Sequence, residues 1–208
     1  MRLLRSRPAA AKDHQDHAAL RQIAGWCLQY PDEAVLGKVG LLRACLDETS
    51  GPGHDELSRV VAHLEQGDPG ALASHYIEVF DRKPRRTLHL SWFLDGDTRR
   101  RGETLAAVRR FYRTHGFAPA ENELPDFLPV ILEFAAAAGP EAADQVLARF
   151  HPALDLLRRN LSTMDTPYRD AVTAVLATLP ATPAPLPAEP PAELVGLDPF
   201  PTGTGGGR

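Results

Sequence analysis

The residues able to do chemistry fall into four groups. Lys12-Asp-His-Gln-Asp-His17 places Asp13 with Asp16, and His14 with His17, three residues apart. That spacing puts each pair on one helical face and suits metal ligation. It equally describes a solvated first turn, where acids favour the positive end of the helix dipole; with no further ligand cluster in the chain, the solvated turn is the reading we adopt. His75-Tyr-Ile-Glu78 also has ligand spacing, but the carboxylate-bridged di-metal pattern runs Glu-x-x-His and needs a second copy. Third, Arg82–Arg101 holds seven basic residues and two acids, a local charge of +5 in a chain of net −4. Arg99, Arg100 and Arg101 open a predicted helix, where cations oppose the dipole, so some carboxylate or anion should compensate. Glu121, Glu123 and Asp126 are the intramolecular choices; a partner's acids or a phosphate-bearing ligand are the functional ones. Fourth, Glu123-Leu-Pro-Asp-Phe-Leu-Pro-Val-Ile-Leu-Glu133 alternates acids with large apolar groups. No phosphate loop, nucleophile elbow, HExxH or paired zinc motif is present.

The elements that must hold these residues read as helices. The 208 residues include 30 Ala and 28 Leu against 11 Val and 3 Ile, a balance favouring helix over strand. Leu20, Ile23, Ala24, Cys27 and Leu28 form a helical stripe from Asp16, ended by Tyr30-Pro31. Asp32 caps a second helix carrying Val35, Leu36, Val39, Leu42 and Leu46. A third carries Leu57, Val60, Val61 and Leu64, and Asp68-Pro69 starts a fourth with Leu72, Tyr76, Val79 and Phe80 inward. Leu88–Leu94 is a short apolar run read as helix. Asp97 or Thr98 caps a helix to His115, with Gly116 as its stop. Asp126 is expected as the N-cap of the next helix, putting Pro129 at its third position. Two more stretches follow, Glu141–Leu161, with a break expected at Pro152, and Pro167–Leu179.

This arrangement bounds the domain. Residues 1–15 are expected as a flexible N-terminus, 16–179 as one all-α helical bundle, and 180–208 as a disordered tail. The last segment holds 8 of the 19 prolines and 5 glycines in 29 residues, too little apolar surface to offset ordering. No run of about 18 apolar residues would cross a membrane, and the N-terminus lacks the apolar stretch of a secretory signal. Cys27 and Cys45 form no disulfide framework, which fits a reducing, cytoplasmic setting. The mild charge argues against bulk nucleic-acid binding.

Four blocks then resemble one family in order and spacing: Tyr76-Ile-Glu-Val-Phe80-Asp81-Arg82, Leu88-His-Leu90, Gly96-Asp97-Thr-Arg99-Arg-Arg101-Gly102, and Glu123-Leu-Pro125-Asp126-Phe-Leu-Pro129 through Glu133-Phe. Together with Leu28-Gln-Tyr30-Pro31, they resemble the NarJ family of nitrate reductase molybdenum cofactor assembly chaperones, a branch of the TorD/DmsD redox-enzyme maturation proteins. The resemblance covers about residues 16–165. It implies a TorD/NarJ-type helical fold and a cytoplasmic, non-enzymatic chaperone. The implied partner is the catalytic (alpha) subunit of a respiratory nitrate reductase, held by its N-terminal segment until molybdenum bis-guanylyl-pterin cofactor is inserted. Cofactor-biosynthesis proteins are further implied partners; nucleic acid and direct membrane insertion are not implied. No resident cofactor or metal is expected.

The family's binding region centres on the Glu-x-Pro-Asp block, here Glu123, Pro125 and Asp126. Many relatives follow that Asp with histidine; this chain has Phe127, which favours an apolar contact. For a basic amphipathic client helix, a groove needs an apolar trough and an acidic rim. Tyr76, Phe80, Trp92 and Phe127 are the expected trough, and Glu123, Asp126 and Glu133 the rim. Asp97, Arg99 and Arg101 complete the site, with Asp126 or Glu123 expected to be shared between Arg99 or Arg101 and client cations. A helical regulatory module unrelated to molybdoenzymes is the alternative, and a metal-dependent hydrolase built on residues 12–17 a more distant one.

Overall fold

A computed structural model describes residues 9–120 and 122–179. Among the described residues ten α-helices follow one another: α1 Ala9–Cys27, α2 Glu33–Leu36, α3 Val39–Asp47, α4 His54–Gln66, α5 Pro69–Tyr76, α6 Ser91–Asp95, α7 Arg99–Thr114, α8 Leu128–Ala137, α9 Pro140–Leu161 and α10 Tyr168–Ala177. Among the described residues there is no β-strand; one isolated antiparallel bridge pairs His89 with Phe127. The all-α expectation therefore holds. α1 packs along α8 and against α10, α4 and α3; α10 fits between α4 and α9, and α9 backs α8 and α6.

The stripes read from the sequence are the ones buried. Leu20, Ile23, Ala24, Cys27 and Leu28 of the α1 region join Leu57, Val60 and Val61 of α4 in one core with α8, α9 and α10. Asp68 caps α5 by accepting from the Ala71 N–H (3.0 Å), with Pro69 at the first helical position. Gly53 opens α4 at φ +94°, and a Cβ there would lie 2.8 Å from the Ala174 carbonyl oxygen, so α4 and α10 meet this closely only through glycine. Gly96, at φ +63° and ψ −153°, ends α6 and redirects the chain into α7.

Four local expectations are corrected. α1 begins at Ala9 rather than at Asp16. The 180–208 tail lies outside the described residues. The second predicted helix is two, α2 and α3, separated at Gly37-Lys38, where glycine weakens a helix interior. α9 runs through Pro152 unbroken. An internal proline costs about 3 kcal/mol or more; burial of Val146, Leu147 and Phe150 on one side and Ala153, Leu154, Leu157 and Leu161 on the other offsets it. Finally, Asp126 does not cap α8. The helix starts at Leu128 after an extended Phe127, Pro129 takes its second position, and the Asp126 side chain turns elsewhere.

Candidate functional site

α5 does not stop at Tyr76 but widens into a π-turn over Ile77–Asp81. Such widened turns re-aim side chains and recur at functional sites. Here Tyr76 and Phe80 stay in ring contact, centroids 4.8 Å apart, while each borders a different cleft. A buried arginine closes the turn. Arg86, 3% exposed, donates from Nε to the Val79 carbonyl (2.6 Å) and from Nη2 to the Glu78 carbonyl (2.9 Å). Its charge meets carbonyls at the negative end of a helix, so no carboxylate is required.

Asp126 lies beneath the clefts, fully buried. Its Oδ2 accepts from the Ser91 hydroxyl (2.5 Å) and the Ser91 N–H (3.2 Å), and its Oδ1 lies 3.2 Å from His89 Nδ1. Arg101 donates from Nε to Ser91 Oγ (3.1 Å) and brings Nη2 to 3.7 Å from Asp126. The Leu90 N–H donates to the Asp126 carbonyl and the Leu128 N–H to the Leu88 carbonyl, binding the two segments side by side. Burial pushes the Asp126 carboxyl up. Hydrogen bonds from His89 and Ser91, with the charges of His89 and Arg101, outweigh it and hold the group below the usual carboxylate value. Tyr112, its phenol pushed up by burial and by Asp126, donates to the Pro125 carbonyl (2.8 Å).

Three adjoining clefts open above this floor. The first, about 260 Å³, is bordered by Tyr112, Phe117, Pro119 and Phe134 and shares Glu123, Val130 and Glu133 with the second. The second, about 240 Å³, adds Tyr30, Asp32, Tyr76 and Phe127. The third, about 320 Å³, is bordered by Phe80, Thr87, His89, Trp92 and Arg101. Ring contacts of Tyr76 with Phe80 and of Phe127 with His89 (5.2 Å) join the second to the third. Together they form a groove with aromatic walls. Among the described residues, three of the five large apolar residues left exposed, Tyr30, Phe117 and Leu124, lie along it or beside Glu123. Glu123 and Glu133 are exposed and have no cation within ion-pair distance among the described residues.

The expected residues thus separate into four sets. Tyr76, Phe127, Glu123 and Glu133 meet in the second cleft, and Phe80, Trp92 and Arg101 in the third. Pro125 and Asp126 are buried; the Asp126 carboxylate has no exposed surface, its oxygens meet His89 and Ser91, and Arg101 lies 3.7 Å away. Asp97 and Arg99 are exposed but border none of the three clefts. Sequence reasoning missed His89 and Tyr30. Both stand in blocks that carry the family resemblance, Leu88-His-Leu90 and Leu28-Gln-Tyr30-Pro31, and an aromatic at a proline break is the further signal at Tyr30. Four of the seven basic residues of the run have partners: Arg86 caps carbonyls, Arg101 meets Asp126, Arg82 pairs with Glu78 (2.9 Å) and Arg100 lies 3.9 Å from Asp95.

The other candidate clusters are structural. Asp16 accepts from Lys12 (2.7 Å) and Ser50 (2.8 Å), tying α1 to the loop before α4. His75 bonds Thr166 (2.9 Å) and stacks on Tyr168. Among the described residues no three His, Cys, Asp or Glu side chains converge as a metal site.

Residues 43–174 match the family model described as nitrate reductase delta subunit. The chain is 40% identical over 157 residues to a "nitrate reductase-like protein NarX" of Mycobacterium tuberculosis, covering 76% of this chain but only 24% of that protein. It is 33% identical to a "probable nitrate reductase molybdenum cofactor assembly chaperone NarJ" of Bacillus subtilis, covering 73% of this chain and 83% of that one. A crystal structure of a putative redox enzyme maturation protein from Archaeoglobus fulgidus superposes with a TM-score of 0.57 at 21% identity, over 84% of this chain and 97% of that chain, a likeness of fold. Matching over most of its helical core, the chain belongs to the nitrate reductase delta subunit family, to which the NarJ chaperones belong.

Proposed function

We propose that this protein is an assembly chaperone for a nitrate reductase. It binds the N-terminal segment of the apo catalytic subunit in the three-cleft groove and keeps that subunit open until the molybdenum bis-guanylyl-pterin cofactor enters. The cofactor is cargo for the client, and the chaperone makes and breaks no covalent bond. The observation that carries this reading is the groove's chemistry: exposed Tyr30 and Phe117 beside two carboxylates, Glu123 and Glu133, with no cation in ion-pair distance among the described residues. An amphipathic basic helix supplies what both lack, apolar anchors for the rings and cations for the rim. Desolvating an unpaired carboxylate is costly unless a cation arrives with the ligand. The family membership and the Bacillus subtilis relative's name support the nitrate reductase as client.

Calorimetric titration with a synthetic peptide of the client's N-terminal segment tests the reading. Glu123→Lys with Glu133→Lys should weaken binding by about tenfold or more, since each like-charge contact costs on the order of a kcal/mol. Co-purification of the whole catalytic subunit should be lost when its first ~40 residues are removed, a generous span for one amphipathic segment. If truncation leaves the complex intact, the groove is not where the client is held.

A further inference from the structure

We propose that the second cleft is a pocket for one arginine side chain of the client, and that Asp32 and Tyr30 make it select arginine over lysine. The proposal rests on the groove being the client site. Asp32 stands in the turn between α1 and α2 and brings a third carboxylate to the cleft, beside Glu123 from the loop before α8 and Glu133 from α8 itself. Its Oδ1 accepts from the Val35 N–H (2.8 Å) and caps α2, which fixes where the carboxylate stands. Its Oδ2 accepts no hydrogen bond among the described residues. Like the two glutamates, Asp32 is exposed and has no cation within 4.0 Å among the described residues. No lysine, arginine or histidine borders the cleft. Its walls are aromatic. Tyr30 meets Tyr76 at 87°, centroids 5.5 Å apart, and Phe127 borders the same space. The Tyr76 phenol donates to the Leu28 carbonyl (3.1 Å), so the corner made by the two tyrosines is anchored before any ligand arrives.

The occupant follows from the charge and from its spread. Three carboxylates around one cleft of about 240 Å³ repel one another, so an entering cation relieves them as well as pairing with them. A metal ion is the wrong size, because among the described residues no three acidic or other ligating side chains converge as a metal site. A guanidinium fits on both counts. It is planar, donates five N–H bonds in a fixed fork and so reaches more than one carboxylate, and its face lies flat on an aromatic ring while its edges make those bonds. A lysine ammonium is compact and more strongly hydrated, and it gains less from a ring and from acceptors set apart from one another. Asp32 and Tyr30 thus add selectivity to a groove whose apolar anchors and glutamates hold a basic helix in general.

The test uses the full chain and two versions of the client's N-terminal peptide, one with arginine and one with lysine at every basic position. At about pH 7 both carry the same charge. Calorimetry should show the arginine peptide binding about tenfold tighter. Asp32→Asn removes the charge and keeps the cap, since asparagine caps as well as aspartate. Tyr30→Leu keeps an apolar wall and removes the ring face. In each variant the preference for arginine should fall to about twofold or less, while the lysine peptide stays within about threefold of its wild-type affinity, which also shows that the variants fold. Equal affinity of the two peptides for the wild type, or a tenfold preference that survives either variant, overturns the pocket and leaves the groove standing. If neither peptide binds the wild type, pocket and groove fall together.

Discussion

Replacing Asp126 isolates the contribution of the buried hub. In Asp126→Ala, the Ser91 hydroxyl and N–H, His89 Nδ1 and the Arg101 guanidinium lose a common acceptor at a site with no solvent access. Removing one member of a buried charged network costs about 3–5 kcal/mol, because its partners stay buried without compensation. Arg101 keeps its bond to Ser91 and a side chain 24% exposed, so water relieves part of the loss and the lower end applies. Against a total stability of about 5–15 kcal/mol, that is a large fraction. Asp126→Asn keeps the shape and one acceptor, and should cost about 1–3 kcal/mol, the range for an imperfectly satisfied buried group. The pH dependence separates charge from shape. The folded carboxyl titrates below its ordinary value of 3.8, so its contribution is fully present above that value. It is lost as pH falls through the lower, folded value. Urea unfolding should therefore show wild type losing stability relative to Asp126→Asn as pH falls below about 4. A loss under about 1 kcal/mol for Asp126→Ala at pH 7, or parallel acid limbs for wild type and Asp126→Asn, would refute the assignment of Asp126 as a buried, ionised hub.

Three further outcomes are expected. Arg86→Ala should destabilise by about 1–3 kcal/mol in urea unfolding, since a buried and a half-buried carbonyl at the π-turn lose their donor, and Arg86→Lys should recover less than half, lacking the fork that reaches both. Gly53→Ala should cost about 1–3 kcal/mol and lower the Tm, from a left-handed φ and a Cβ placed against the Ala174 carbonyl. In the native state a maleimide should modify one cysteine, the exposed Cys45. Cys27 is buried and its thiol is pushed up to about 12 by burial, so its reaction should appear only with unfolding; two fast-reacting thiols in the native state would contradict the packing around α1.

How far the sequence reached is clearest at particular residues. The helices of the core were readable because each must bury one face: the 3.6-residue recurrence of Leu20, Ile23 and Cys27, or Leu57, Val60 and Leu64, states both the helix and its inward side. The aromatic and acidic residues of the groove were found as types. Tyr76, Phe127, Glu123 and Glu133 do meet, although they come from three elements. Continuity of α9 through Pro152 was misread, because local propensity does not contain the burial that overrides it.

The role of Asp126 was also out of reach. Sequence spacing suggested a helix cap and a surface contact, whereas the carboxylate is spent on residues 35 and 25 positions away, Ser91 and Arg101. Chain periodicity determines which faces are apolar and hence that the protein is a helical bundle. It carries no information on which of seven clustered basic residues becomes a buried cap, which an internal counter-ion, and which stay free at the surface. That division depends on distances across the folded chain: Arg86 at the end of a widened turn, Arg101 over Ser91, Arg82 against Glu78. Electrostatic partners are chosen by proximity and desolvation, and both exist only once the helices have packed.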